Sequence, residues 1–196
     1  MNKVKIKNKG VKDAIESITT EYKENPLSFL NEQDIVSHLI GILKDKFPAK
    51  VKITSQAIKG HHSFASRVHA EVDVPINDNK KGRRPKVDIV IFKNKNVRLK
   101  GYRYNKTTPS CEVDLNDIFF GIEVKFYRGV TKQFRPSEVK GLEQTAEKLK
   151  RLKDKSILLI FIHGYIKGNA KEILDTKFKG LNVEVITSGV WKNELS

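Results

Sequence analysis

An apolar segment with two charges in its middle places the strongest constraint on the fold. The segment GIEVKFYRG, residues 121–129, carries Glu123 and Lys125 between apolar neighbours. Residues two apart on a strand share a face, so both charges lie on one face and the apolar side chains on the other. Removing a charge from water is costly unless the charge is paired or used. The pattern predicts a core strand whose charged face is either an ion pair on a solvated sheet or a functional site.

A second apolar run carries a carboxylate in the same way. KVDIVIFK, residues 86–93, is short and almost continuously apolar, as expected of a central strand. Asp88 interrupts it and points away from the face that Val87, Ile89 and Ile91 share. A structural alternative for Asp88 is that it closes a turn or pairs with a nearby arginine. If this strand neighbours the one at 121–129, both present an apolar side to one layer and carboxylates to the other.

A third acid lies at the start of a predicted helix. The helix is expected from about Asn31 to Asp45, and its apolar stripe is Ile35, Val36, Leu39, Ile40 and Leu43. Glu32 lies on the side of that stripe, in the first turn. An acid there is stabilised by the free N–H groups of the helix end, which by itself accounts for it. The alternative is that Glu32 joins Asp88 and Glu123 in one cluster.

The other elements predict an α/β fold with a mixed central sheet and flanking helices. The order of helices and strands suits an antiparallel meander followed by parallel crossovers. The length suits a single domain spanning 1–196, with a short helical extension at about residues 1–25. Residues 94–116 are expected to be polar and irregular. The remaining elements are helices at 11–23, from Ser137 and at 170–178, and strands at 50–56, 64–76, 156–164 and 181–187. In the helix from Ser137, the residues expected to face inward are Val139, Leu142, Ala146 and Leu149.

Net charge is the clearest global signal. Lys and Arg number 38 against 23 acids, which gives +15 at pH 7. Such a net charge favours a polyanionic partner, and nucleic acid is the usual one. The alternative is that the excess lysines lie on solvated surfaces and bind no partner. No apolar run reaches the roughly 20 residues that span a bilayer, so no membrane is expected. The single Cys111 indicates a reducing, cytoplasmic location.

Carboxylates brought together in so basic a chain favour a divalent cation. Mg²⁺ prefers carboxylate oxygens, waters and substrate phosphate oxygens, and Mn²⁺ is expected to substitute for it. A bound cation lowers the pKa of a water and balances charge on a phosphodiester under attack. A lysine beside that water is placed to orient it. Lys125 is the candidate for this role.

Asp88 followed by Glu123-Val124-Lys125 resembles the PD-(D/E)XK nuclease superfamily, over roughly residues 31–165. RPKVDIVIF stands for the Asp strand, FFGIEVKFY for the E-x-K strand and NEQDIVSHL for the first core helix. The resemblance implies a restriction-endonuclease-like αβββαβ core and Mg²⁺-dependent hydrolysis of DNA. It also implies that Asp88 and Glu123 bind metal, the Val124 carbonyl joins them, Lys125 positions the nucleophile and Glu32 is an outer ligand.

The chain departs from the family pattern in two places. Pro85 stands three residues before Asp88, and Gln144 is followed four residues later by Lys148, so the Q-x-x-x-Y pattern of some branches is incomplete. Gln144 remains a candidate for substrate contact. Three further candidates for phosphate contact lie in or beside the basic turn that precedes Asp88: Arg83, Arg84 and Lys86.

The expected activity is a restriction-type DNA endonuclease. A junction-resolving or repair nuclease is the second reading, and a non-cleaving DNA-binding subunit of a larger complex is the alternative from another class. A homodimer is one arrangement open to such a domain. His61 and His62 are expected to lie in a loop, KGHHS, without a partner at metal-ligand spacing.

Overall fold

The computed structural model describes residues 6–55, 62–74, 86–105, 108–128, 134, 136–164, 166 and 169–188. The five helices in this part of the chain are α1 (Lys9–Glu24), α2 (Glu32–Lys46), α3 (Pro136–Gly141), α4 (Glu143–Lys150) and α5 (Ala170–Lys177). The strands are β1 (Lys50–Ser55), β2 (His62–Ser66), β3 (Val68–Asp73), β4 (Lys86–Phe92), β5 (Val97–Asn105), β6 (Thr108–Val113), β7 (Ile118–Arg128), β8 (Ser156–His163) and β9 (Asn182–Thr187).

The strands form one mixed sheet in the order β2-β1-β5-β6-β3-β4-β7-β8-β9. Strand β4 pairs antiparallel with both β3 and β7, whereas β7 pairs parallel with β8 and β8 parallel with β9. A single residue pair, Asp73 with Glu112, connects β3 to β6. The predicted mixed sheet with flanking helices is therefore confirmed. Elements α2, β3, β4, β7, α4 and β8 occur along the chain in the predicted αβββαβ order, with β1, β2, β5, β6 and α3 inserted between them.

Helices α1 and α2 cover one face of the sheet. Helix α2 begins with a capping box, in which Asn31 and Asp34 bond each other's main chain. Its apolar stripe packs on Ile122 and Val124 of β7. The segment predicted as an N-terminal extension packs into this same core, where the buried apolar residues of α1 are Val11, Ala14, Ile15, Ile18 and Tyr22.

Helices α3, α4 and α5 cover the opposite face, where they pack on β8. All four residues predicted to face inward here are buried, namely Val139, Leu142, Ala146 and Leu149. The predicted single helix is nevertheless two helices. Gly141 ends α3 and Leu142 precedes α4 with φ −87° and ψ 3°. Glycine is among the weakest helix formers, which suits a break at this point.

The predicted strand at 64–76 is also two strands. The chain leaves the ladder at Arg67, between β2 and β3, and the two strands pair with different partners. Arg67 donates to the Phe92 carbonyl at 3.0 Å, and its guanidinium lies over the rings of Phe47 and Phe119. These contacts come from distant parts of the chain, so a local apolar alternation could not reveal the break.

The prediction of irregular structure over 94–116 was wrong. Strands β5 and β6 form an antiparallel hairpin there, and β5 also pairs with β1. Main-chain hydrogen bonds on both sides hold β5, so it does not need the apolar pattern that marks a core strand. In the predicted KGHHS loop, His62 begins β2, while His61 lies outside the described residues. Among the helices described, none has the length and apolar character to cross a membrane.

Candidate active site

Asp88 and Glu123 meet across two neighbouring strands. The register that pairs Ile89 with Ile122 places Asp88 opposite Glu123 when it is continued by one residue. Asp88 Oδ2 accepts a hydrogen bond from the main-chain N–H of Val124 at 2.8 Å. The N–H of Asp88 in turn lies 3.4 Å from Glu123 Oε2. The two predicted acids therefore lie side by side on one face of the sheet.

Lys125 joins all three predicted acids. Its Nζ lies 3.1 Å from Glu32 Oε1, 3.4 Å from Glu123 Oε1 and 3.9 Å from Asp88 Oδ2. Burial lowers the pKa of this lysine, but the negative charges of Glu123, Asp88 and Glu32 outweigh burial and raise the pKa overall. Lys125 is thus an ammonium ion at neutral pH, able to donate hydrogen bonds but not to accept a proton.

A second lysine, Lys148 of α4, lies in the site and was not among the predicted site residues. Its Nζ is 2.5 Å from Glu123 Oε1 and 2.5 Å from the Lys86 carbonyl oxygen. Its side chain is only 10% exposed. The sequence offered one signal: Lys148 occupies the position where the incomplete Q-x-x-x-Y pattern has tyrosine.

Glu123 is the most buried charge of the cluster, with 3% of its side chain exposed. Burial and the neighbouring Asp88 carboxylate raise its pKa, while the ammonium groups of Lys148 and Lys125 partly oppose that rise. A carboxyl group in this position titrates above its ordinary range. Its ionised form depends on the cations around it.

Glu32 reaches the cluster from the first turn of α2. The helix end is already capped without it, because Asp34 Oδ2 accepts from the N–H groups of Asn31 and Leu30 at 3.1 and 2.7 Å. The Glu32 carboxylate instead contacts Lys125. Glu32 is therefore part of the charged cluster around Lys125.

The predicted substrate contacts lie at different places. Lys86, the first residue of β4, contacts Glu71 at 3.1 Å with its Nζ. Glu71 has φ 50°, in the left-handed region that non-glycine residues rarely adopt, at a point where β3 runs beside β4. Gln144 lies on the exposed side of α4, whereas Arg83 and Arg84 lie outside the described residues.

The donors present fit a magnesium ion. The described residues contain no group of three or more His, Cys, Asp or Glu side chains close enough to hold a metal. Mg²⁺, however, is commonly held by one or two protein carboxylates together with waters and substrate phosphates. Asp88 and Glu123 form such a pair. The chemistry of the pair suits a hard divalent cation, and participation of the Val124 carbonyl stays a prediction.

Neither protein-family models nor curated proteins match this chain. Among solved structures, it is similar to NucC from P. aeruginosa ATCC27853 in its cAAA-bound form, with 9% identity, a TM-score of 0.37 and coverage of 89% of this chain and 72% of that chain. It is also similar to NucC from E. coli MS115-1 in its cAAA-bound form, with 10% identity, a TM-score of 0.36 and coverage of 87% and 68%. TM-scores this low carry no argument about function. The functional argument rests on the geometry of the site.

Proposed function

We propose that this chain is a Mg²⁺-dependent DNA endonuclease of the PD-(D/E)XK superfamily, which hydrolyses phosphodiester bonds. One observation carries the proposal. Asp88 of β4, Glu123 and Lys125 of β7 and Glu32 of α2 form a continuous charged cluster, with Lys125 Nζ within 3.9 Å of all three carboxylates. A purely structural sheet gains little from three charged side chains on two core strands, joined there by an acid of α2, because desolvating charges is costly.

The acidic and basic residues of the cluster have different proposed roles. Asp88 and Glu123 would hold the divalent cation, which when bound supplies a water of lowered pKa and balances charge on the phosphate. Lys125, kept protonated by its acidic neighbours, donates a hydrogen bond to the attacking water or to a phosphate oxygen. Glu32 holds the Lys125 ammonium in place at 3.1 Å or serves as an outer metal ligand. An ammonium ion at this position also stabilises the negative charge that develops on the phosphate.

Net charge makes nucleic acid the proposed substrate, and the resemblance to PD-(D/E)XK nucleases makes DNA the proposed polymer. The +15 net charge attracts the backbone of nucleic acid, and binding of this kind weakens steeply as salt rises. Lys86 stands at the start of β4, close to the carboxylates, since its carbonyl oxygen accepts from Lys148. Its side chain, together with Arg83 and Arg84 of the preceding basic segment, is proposed to contact phosphates.

A panel of substrates tests the proposal. Purified protein is incubated with plasmid, linear duplex, single strand and four-way junction, in Mg²⁺ or in excess EDTA, beside the Asp88→Asn variant as a control for contamination. We expect Mg²⁺-dependent cleavage of duplex DNA that both EDTA and the substitution abolish. Preference for the four-way junction would favour the junction-resolving alternative. Binding without cleavage of any substrate would favour a non-cleaving subunit, and undiminished cleavage in EDTA would exclude the metal mechanism.

A further inference from the structure

We propose that Lys148 is a positioning residue for the metal site: it binds one oxygen of Glu123 and so presents the other oxygen, beside Asp88, to the divalent cation. The inference rests on the proposed metal-dependent function and adds a residue to it. Lys148 belongs to neither the Asp strand nor the E-x-K segment, and it reaches the site from α4.

The two oxygens of Glu123 have different surroundings. Oε1 lies 2.5 Å from Lys148 Nζ and 3.4 Å from Lys125 Nζ, so the lysines occupy that side of the carboxylate. Oε2 points to Asp88, whose N–H is 3.4 Å away. The orientation of the carboxylate is thereby set, and the oxygen turned to Asp88 is the one available to a cation shared by both acids.

The position of the Lys148 ammonium is itself constrained by a second contact. Nζ also donates to the carbonyl oxygen of Lys86 at 2.5 Å, and the side chain is 10% exposed. One ammonium thus connects α4, the start of β4 and the centre of β7. Because two acceptors on two different strands hold it, Lys148 cannot shift without losing one of them. A carboxylate bonded to such a group has little freedom to rotate.

Lys125 does not substitute for Lys148 in this arrangement. Its Nζ is farther from Glu123 Oε1 and is also held by Glu32 at 3.1 Å. Without Lys148, the deeply buried Glu123 would lose its nearest cation. It would then adopt other rotamers or seek other partners, and the pair of oxygens offered to the metal would no longer be preformed.

Direct metal binding without DNA tests this inference. Mn²⁺ affinity is measured by electron paramagnetic resonance of the free ion for the wild type and for Lys148→Met, Lys148→Arg and Glu123→Gln. Lys150→Met is the matched control, because it removes one positive charge from the same helix at an exposed position paired with Glu147. Circular dichroism confirms that each variant is folded. Should Lys148→Met not fold, Lys148→Gln, which keeps a polar group, is read by the same criteria.

We expect Lys148→Met to weaken Mn²⁺ binding about 10–100-fold, as the loss of an outer partner of a ligand does. Lys148→Arg should recover most of the affinity, Lys150→Met should bind as the wild type does, and Glu123→Gln should bind least. Wild-type affinity in a folded Lys148→Met variant, or an arginine variant no better than the methionine variant, overturns the role of Lys148. If only Glu123→Gln loses Mn²⁺ binding, the proposed metal site stands and the role of Lys148 is overturned. A wild type that binds no Mn²⁺ overturns both.

Discussion

The main-chain N–H of Val124 donates a 2.8 Å hydrogen bond to the carboxylate of Asp88. The residue between Glu123 and Lys125 therefore orients the acid of the neighbouring strand. A backbone donor of this kind does not depend on a side-chain rotamer, so the relative positions of the two acids follow from the pairing of β4 with β7. The proposed chemistry can be tested residue by residue on this arrangement.

Asp88→Asn should abolish cleavage while DNA binding persists. The amide keeps an oxygen that accepts from the Val124 N–H, so the fold is preserved, but the charge needed by the metal is lost. The loss of rate should exceed the roughly 10–100-fold cost of removing an outer partner. Cleavage and filter binding are compared with Glu147→Gln, an exposed acid on α4. Cleavage by Asp88→Asn at the control's rate would remove Asp88 from the site.

Lys125→Met should lower the rate by about 10²–10³-fold, the usual cost of removing a hydrogen-bond donor that stabilises charge in the transition state. The methionine retains much of the aliphatic bulk, so packing around β7 changes little. Single-turnover cleavage at saturating Mg²⁺ measures the effect, and Lys150→Met serves as the control for net charge. A wild-type rate in Lys125→Met would show that the ammonium neither orients water nor stabilises the phosphate.

Glu32→Gln separates two functions of this acid. Because the Glu32 carboxylate contacts Lys125 at 3.1 Å, we expect a lower rate at saturating Mg²⁺, by up to about 10–100-fold, with an unchanged Mg²⁺ midpoint. An outer metal ligand would instead move the midpoint to higher Mg²⁺ and recover its rate there. Rate against Mg²⁺ concentration distinguishes the two, and an unchanged rate and midpoint would leave Glu32 without a part in catalysis.

The stability of the metal-free protein should carry a pH signature of Glu123. Burial and Asp88 raise the pKa of this group above its ordinary value of 4.5, so the folded chain binds the proton more tightly than the unfolded chain does. Its contribution to stability is therefore present below pH 4.5 and is lost as pH rises through the folded pKa. In EDTA, the wild type should lose melting temperature relative to Glu123→Gln as pH rises above 4.5. A constant difference would contradict the raised pKa.

Gly121→Ala should destabilise the fold, because a Cβ there would lie 2.5 Å from Cδ1 of the buried Leu152. Displacing a packed side chain costs about 1–3 kcal/mol. Gly41→Ala on α2 is the matched control: nothing lies within 4 Å of its added Cβ, and alanine in a helix gains about 0.5–1 kcal/mol over glycine. Chemical denaturation of both variants gives the comparison. Equal stability for the two would show that Leu152 relaxes without cost.

Elements with a strong local pattern could be predicted from the sequence. Strand β8 is entirely buried, and β4 and β7 combine apolar faces with a few charged residues, so periodicity located all three. The same reasoning placed Asp88, Glu123 and Lys125 on the polar side of their strands. Residues 94–116 lacked such a pattern, and the hairpin of β5 and β6 was missed because long-range main-chain pairing stabilises it.

The sequence by itself determined which faces of the central strands are apolar and which carry charge, because strand periodicity is a local property. Only the tertiary structure decided which charges meet. The pairing of β4 with β7 brings Asp88 to Glu123, the packing of α2 brings Glu32 to Lys125, and the packing of α4 brings Lys148 to Glu123. These contacts join residues far apart in the chain. Their partners are selected by strand pairing and by the packing of helices on the sheet, which no local pattern of residue types encodes.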